Sequence, residues 1–240
     1  PASLQEMLSG PMKLVMSLMG GSGKPKPGCE IKTQYCTAIP IGTALAQSFD
    51  LTFVEQCGDI VGEEMERFGV HLWLAPALNI HRSIRCGRNF EYYSEDPLVS
   101  GKMAAAMTRG VQAHKGCGTT IKHYAANNKE YNRTRNNSIV SERAMREIYL
   151  KGFGICVREA QPKAVMTSYN LLNGTHTAES RGLIMDILRA EFGYEGIVMT
   201  DWVTPMADTR SAHRDSQAQY VAAAGGDLFM PGNKGDYDNL

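Results

Sequence analysis

The stretch GIVMTDW, residues 196–202, decides the reading of this chain. A glycine opens it, three apolar residues follow, and a carboxylate and an indole close it. A short bounded apolar run is what a strand buried on both faces requires. Asp201 then stands at the C-terminal mouth of that strand, with Trp202 beside it. Outward from here the same grammar repeats. Residues 70–75, 119–124, 164–168 and 227–230 also have strand length and strand character. Helical periodicity fills the intervals. Phe53, Val54, Cys57, Ile60, Val61, Met65 and Phe68 recur at helical spacing, with Asp50 predicted as N-cap and Gly69 as stop. Further helices are predicted from Pro97 to about 114, over 141–159 with Ser141 as N-cap, over 181–192 before Gly193, and over 214–224.

Strands alternating with helices predict βα units on a parallel sheet. Doubly wound sheets and (β/α)8 barrels both satisfy that pattern. Polar residues gather at the end of strand after strand: Asn79-Ile80-His81-Arg82, Lys122-His123, Tyr169-Asn170 and Asp201-Trp202. Barrel enzymes place their chemistry at that face. Neither the Rossmann nor the P-loop glycine fingerprint occurs. The predicted fold is therefore α/β, a (β/α)8 TIM-type barrel, incomplete or irregular in its N-terminal part. Residues 1–48 show little periodicity, and GGSGKPKPG at 20–28 reads as a loop.

Composition narrows the function. The 240 residues carry 25 Lys+Arg and 25 Asp+Glu, so no net field draws the chain to nucleic acid or an anionic membrane. A hydrophobic share of 43% excludes a disordered chain. No apolar run reaches the roughly 18 residues that a membrane span needs. The cysteines, scattered and without zinc spacing, read as reduced buried thiols. With no signal peptide visible behind Pro1, the expected location is cytoplasmic.

Asp201 suits a nucleophile, a base, a metal ligand or simply a helix cap. Lys122 and His123 are adjacent, so a regular strand would point them to opposite faces. A twisted strand end would let both reach one pocket. Arg88 lies in a polar, aromatic loop where it could bind hydroxyls or pair with Glu91, Glu95 or Asp96. Arg133 lies in a second polar loop, and Tyr169 could donate to a ligand or to Asp201. One carboxylate among Arg, Lys, His, Tyr and Trp suits a neutral polyhydroxylated ligand. No ring of His and carboxylates is present to hold a metal, and no cofactor is expected. A Schiff-base lyase or aldolase built on Lys122 competes with this reading. Asn132, Asn136 and Asn173 open glycosylation-type triplets that are read as chance.

The motifs then converge. CGRNFEYYSEDP (86–97), IKHYAANN (121–128), SERAMREIYLKGF (141–153), VMTSYNLLNG (165–174), GIVMTDW and GGDLFMPG (225–232) resemble, in this order, the barrel domain of glycoside hydrolase family 3. The KHYAANN form is similar to the β-glucosidase and β-xylosidase type. The resemblance implies a retaining exo-acting β-glycosidase with Asp201 as nucleophile. It also implies that Arg88, Lys122, His123, Arg133, Tyr169 and Trp202 hold the non-reducing-end sugar, with glucose favoured. Two family features are not found: an Asp-Gly-Pro loop, and the acid/base glutamate, which the family usually carries on a separate α/β sandwich domain. The expected organisation is an N-terminal segment over 1–36, the barrel over 37–232, and the start of a linker over 233–240. A sandwich domain is the expected partner, an oligomer is compatible, and a sugar-binding but catalytically incompetent barrel fragment is the alternative.

Overall fold

The structure is a computed structural model, and it describes residues 34–133, 136–202 and 216–240. The chain divides into two compact units, Pro1–Cys36 and Thr37–Leu240. The helices and strands described below all belong to the second unit.

Helix α1 (Gly42–Gln47) buries Leu45 and Ala46. Helix α2 (Leu51–Phe68) starts where predicted. The Asp50 carboxylate accepts from the Phe53 N–H at 3.0 Å, and Gly69 ends the helix in the left-handed region at φ 68°. Helix α3 (Pro97–Gln112) is capped by Asp96, which accepts from the Leu98 N–H at 2.7 Å, with proline at the first helical position. Helices α2 and α3 meet through glycines. A Cβ added to Gly110 would overlap the Glu55 carbonyl oxygen, and one on Gly58 would overlap that of Met107.

The strands are β1 (Leu72–Trp73), β2 (Gly118–Tyr124), β3 (Asn137–Ser138), β4 (Ala164–Thr167), β5 (Leu171–Leu172), β6 (Thr175–His176) and β7 (Ile197–Met199). Strands β1, β2, β4 and β7 form a parallel sheet in that order. β2 and β4 are buried almost throughout, which explains their continuous strand reading. The strand predicted over 70–75 is regular only at Leu72–Trp73, but its pairing continues irregularly. Thr120 and Lys122 donate to the carbonyls of Ala75 and Pro76, and Leu78 donates back to Lys122. The strand predicted over 227–230 appears as a single parallel bridge between Met199 and Leu228. A second small sheet, β3-β5-β6, was not anticipated; its strands of two residues are too short to show a period. Among the described residues the parallel sheet is open, with four strands.

The helix predicted over 141–159 is built in three parts. Ser141 caps a turn at Glu142–Ala144, a π turn follows at Met145–Tyr149, and helix α4 covers Lys151–Ala160. The helix predicted over 181–192 is a π-helical segment, Gly182–Glu191. Helix α5 covers Ala218–Ala223; the start of the helix predicted from 214 lies outside the described residues. Within 233–240, Asn233 and Asp236 form a reciprocal capping box on helix α6 (Lys234–Asp238). Cys57, Cys86, Cys117 and Cys156 are buried free thiols, and Cys36 is an exposed one. No helix among the described residues is long and apolar enough to cross a membrane.

Candidate active site

The site assembles at the C-terminal edge of the parallel sheet. β7 is anchored beyond its last residue: the Thr200 N–H donates to the Leu228 carbonyl at 2.9 Å, and the Thr200 hydroxyl accepts from the Met230 N–H at 2.8 Å. Asp201 follows, 7% exposed. One carboxylate oxygen accepts from the Trp202 N–H at 2.7 Å. The other, Oδ2, lies 3.7 Å from His123 Nε2. Burial pushes the Asp201 carboxyl above the usual aspartate range, while the Trp202 N–H and the charges of Arg88 and Lys122 pull it back.

β2 supplies Lys122 and His123. Its register against β4 shifts between Ile121 and Tyr124, and within that irregular stretch both side chains reach one polar cluster. The His123 imidazole is buried, and Asn79 grips the residue at three points. Asn79 Nδ2 donates to the His123 carbonyl at 2.9 Å. Asn79 Oδ1 stands 2.8 Å from the His123 N–H and 3.2 Å from ring Nδ1. Burial holds the imidazole well below its ordinary pKa, and the nearby Arg88, Lys122 and Arg133 charges act in the same direction.

The loop after β1 supplies Arg88, whose Nε donates to Glu91. Glu91 Oε2 also lies 3.8 Å from Lys122 Nζ. Burial lowers the Lys122 pKa; Glu91 and Asp201 oppose that, and Arg88 adds to it. Beyond β4, the Tyr169 hydroxyl donates to the Trp202 carbonyl at 2.5 Å. Burial and then the Asp201 charge raise this phenol to about 12, so it stays a donor at neutral pH. The Arg133 guanidinium lies 4.7 Å from the Tyr169 ring centroid and pairs with Glu130 at 3.0 Å. Asn127 donates to the other Glu130 oxygen at 3.2 Å.

All seven residues singled out in the sequence thus fall in one neighbourhood. Trp202 joins through its backbone, and its side chain is exposed enough to meet a ligand. Of the polar residues at strand ends, His81 instead faces the Tyr92 ring, and Asn170 braces the backbone at Ala125. Of the acidic partners weighed for Arg88, the structure selects Glu91, while the pairing of Glu130 with Arg133 was not anticipated. Their spacings of three residues, Arg88–Glu91 and Glu130–Arg133, were the available signal. Three cations (Arg88, Lys122, Arg133) meet three carboxylates (Glu91, Glu130, Asp201), so the site is close to charge-balanced. That balance favours a neutral ligand over a phosphorylated one. A cavity of about 480 Å³, lined in part by Arg82, Arg85, Lys129 and Tyr131, shares Glu130 as a wall.

A parallel α/β sheet with one buried carboxylate at a strand mouth, ringed by donors from successive loops, defines an α/β domain with a carboxylate-centred site. Residues 26–239 match the glycosyl hydrolase family 3 N-terminal domain, and the chain belongs to that family. The family's N-terminal domain is a TIM-barrel type, in keeping with the predicted fold class. Beta-glucosidase A of Butyrivibrio fibrisolvens is 51% identical over 166 residues, which are 69% of this chain and 20% of that protein. Probable beta-glucosidase K of Emericella nidulans is 41% identical over 194 residues, 81% of this chain and 22% of that protein. The structure of beta-glucosidase 3B from Thermotoga neapolitana in complex with glucose superposes with a TM-score of 0.78 at 44% identity, covering 90% of this chain and 29% of that one. The chain therefore spans about a fifth of the length of these curated relatives.

Proposed function

We propose that this chain is the barrel portion, over 37–232, of a retaining exo-acting β-glucosidase. The observation that carries the reading is Asp201, a buried carboxylate at the mouth of β7 faced by neutral His123 and flanked by Arg88 and Lys122. In this reading the Asp201 carboxylate attacks the anomeric carbon, a carbon–oxygen bond forms, and the glycosidic bond breaks with its electron pair leaving on the aglycone oxygen. That oxygen takes a proton from a general acid, and water later releases the sugar from Asp201. Arg88, Lys122, His123, Arg133 and Tyr169 bind the sugar hydroxyls, and Trp202 lines the subsite. Hydrogen bonds that strengthen as positive charge grows on the ring supply the rate.

Glu91 and Glu130 are held by cations, which makes them poor candidates for the general acid. The reading therefore assigns that role to a glutamate on a second, α/β sandwich domain, and the greater length of the relatives supports this. A β-linked glucoside is the substrate, as the names of the relatives support. The four buried free thiols fit a reducing compartment, and we place the protein in the cytoplasm.

The test uses a dinitrophenyl 2-deoxy-2-fluoro-β-glucoside. Its leaving group needs no protonation, so the glycosylation step is read without the general acid. A fluoroglucosyl adduct mapped to Asp201 is expected. An adduct on another side chain, or none despite glucose binding, overturns the assignment. Borohydride trapping of a carbonyl substrate on Lys122 would instead support the lyase chemistry.

A further inference from the structure

Asn79 lies 44 positions before His123, and both are buried, at 2% and 1% exposure. The orientation of the Asn79 amide is set by the backbone and not by the ring. Its Nδ2 faces a carbonyl, which can only accept, and its Oδ1 faces the His123 N–H, which can only donate. A flipped amide would set donor against donor and acceptor against acceptor. Ring Nδ1 lies 3.2 Å from that same Oδ1 and must therefore carry a proton. A neutral imidazole with hydrogen on Nδ1 has a bare lone pair on Nε2. That lone pair points to the Asp201 side of the site, with Oδ2 3.7 Å away.

We propose that Asn79 is a positioning residue that locks His123 in its Nδ1–H tautomer, so that Nε2 meets the sugar as an acceptor and selects a hydroxyl that donates. The second half rests on the glucosidase reading. A hydroxyl seated there gives its hydrogen to Nε2 and keeps its oxygen for a neighbouring cation. An ether, a keto group or fluorine at the same place would set lone pair against lone pair. The charged groups around the ring are Arg88, Lys122 and Arg133, which disfavour a second ring proton, and Asp201, which favours one. The Tyr92 ring closes another side, 6.3 Å away.

The experiment is long-range proton–nitrogen NMR on the full chain with isotope-labelled histidine. The six histidines are sorted by the signal that disappears in His123→Asn. The Nδ1–H tautomer is expected for His123 at neutral pH. An Nε2–H tautomer, or an imidazolium at neutral pH, overturns the proposal. Asn79→Ala is expected to give a tautomer mixture and to weaken glucose binding about tenfold. Asn79→Asp keeps an acceptor at Nδ1 but loses the donor to the His123 carbonyl and adds a negative charge, so Nδ1 is expected to keep its proton while the ring pKa rises. A pure Nδ1–H ring in Asn79→Ala shows that Asn79 does not set it and overturns the proposal.

Glucose is then titrated, with its deoxy and fluoro analogues at the 3-, 4- and 6-positions. One position should show the fluoro analogue binding as weakly as the deoxy analogue, together with movement of the Nε2 signal. Fluoro analogues that bind like glucose at every position refute the acceptor role. An Nδ1–H ring with no response to glucose removes the sugar half together with the glucosidase reading, while the tautomer result stands apart.

Discussion

Glu91 Oε2 lies 3.8 Å from Lys122 Nζ, while the other oxygen of the same carboxylate accepts from Arg88 Nε. One carboxylate thus spaces two cations that would otherwise repel each other in a half-buried site. Its two partners belong to different elements, the loop after β1 and the strand β2.

Glu91→Gln keeps the shape and removes the charge. Arg88 and Lys122 then keep only Asp201 as a shared counter-charge, and their side chains reorient toward solvent. The half-buried setting puts the cost near 1–2 kcal/mol, below the 3–5 kcal/mol of a fully buried pair. Titration calorimetry should show glucose affinity falling about tenfold, and calorimetric melting should drop by a few degrees. Unchanged affinity would show that the cations hold their places without Glu91.

Lys122→Met moves the acid limb of catalysis upward. Burial already raises Asp201, and the Lys122 charge is one of the groups holding it down. Removing that charge favours the protonated acid, which cannot attack. The pH at which fluoroglucoside inactivation reaches half its plateau rate should rise relative to the unsubstituted chain. Because Lys122 also binds sugar, the position of the limb is the readout and its height is not. A limb moving to lower pH would contradict the assignment of Asp201 as the titrating group.

His114 ties the end of α3 to α2, with Nε2 2.8 Å from Asp59 and Nδ1 3.3 Å from Glu66. The Asp59 hydrogen bond, and then that of Glu66, outweigh desolvation and raise its pKa in the folded state. The stabilisation is therefore fully present below the unfolded pKa of about 6.5 and is lost as pH rises through the higher folded value. His114→Asn should lower stability by a few tenths of a kcal/mol at pH near 6 and by much less near 9. Urea melts at both values check it, and an equal loss at the two would assign the effect to packing.

Gly110→Ala is expected to be far more damaging than a single methyl suggests. The new Cβ would meet the backbone of α2 at Glu55 and Asp59, which cannot move aside as a flexible side chain could. Overpacking of this kind costs about 1–3 kcal/mol. Thermal melting should fall by several degrees, whereas Gly116→Ala, with open space but φ 77°, should cost about 1 kcal/mol from backbone strain alone.

Much was legible before any coordinates. Asp50 and Ser141 announced their helices because a cap hydrogen bond spans only two or three residues, and Gly69 announced a stop for the same reason. β4 was legible as a short apolar run of the kind a strand buried on both faces carries, and β2 through its β-branched Thr119, Thr120 and Ile121. The small sheet β3-β5-β6 was not, since two-residue strands have no period to read. The π turns at Met145–Tyr149 and Gly182–Glu191 were hidden for a related reason, because their apolar spacing fits an α-helix nearly as well.

The local pattern alone, then, determined the βα alternation, the caps and the position of Asp201 at a strand mouth, because each depends on neighbours a few residues away. The grouping of Arg88, Lys122, His123, Arg133, Tyr169 and Trp202 was suggested by motif order. Only the tertiary structure decided how they are held. Asn79 reaches His123 across 44 positions, and Glu91 reaches Lys122 from another loop. Which proton a ring keeps and which charge a carboxylate answers are set by burial and by distances of about 3–4 Å, and neither leaves a mark on the order of residues.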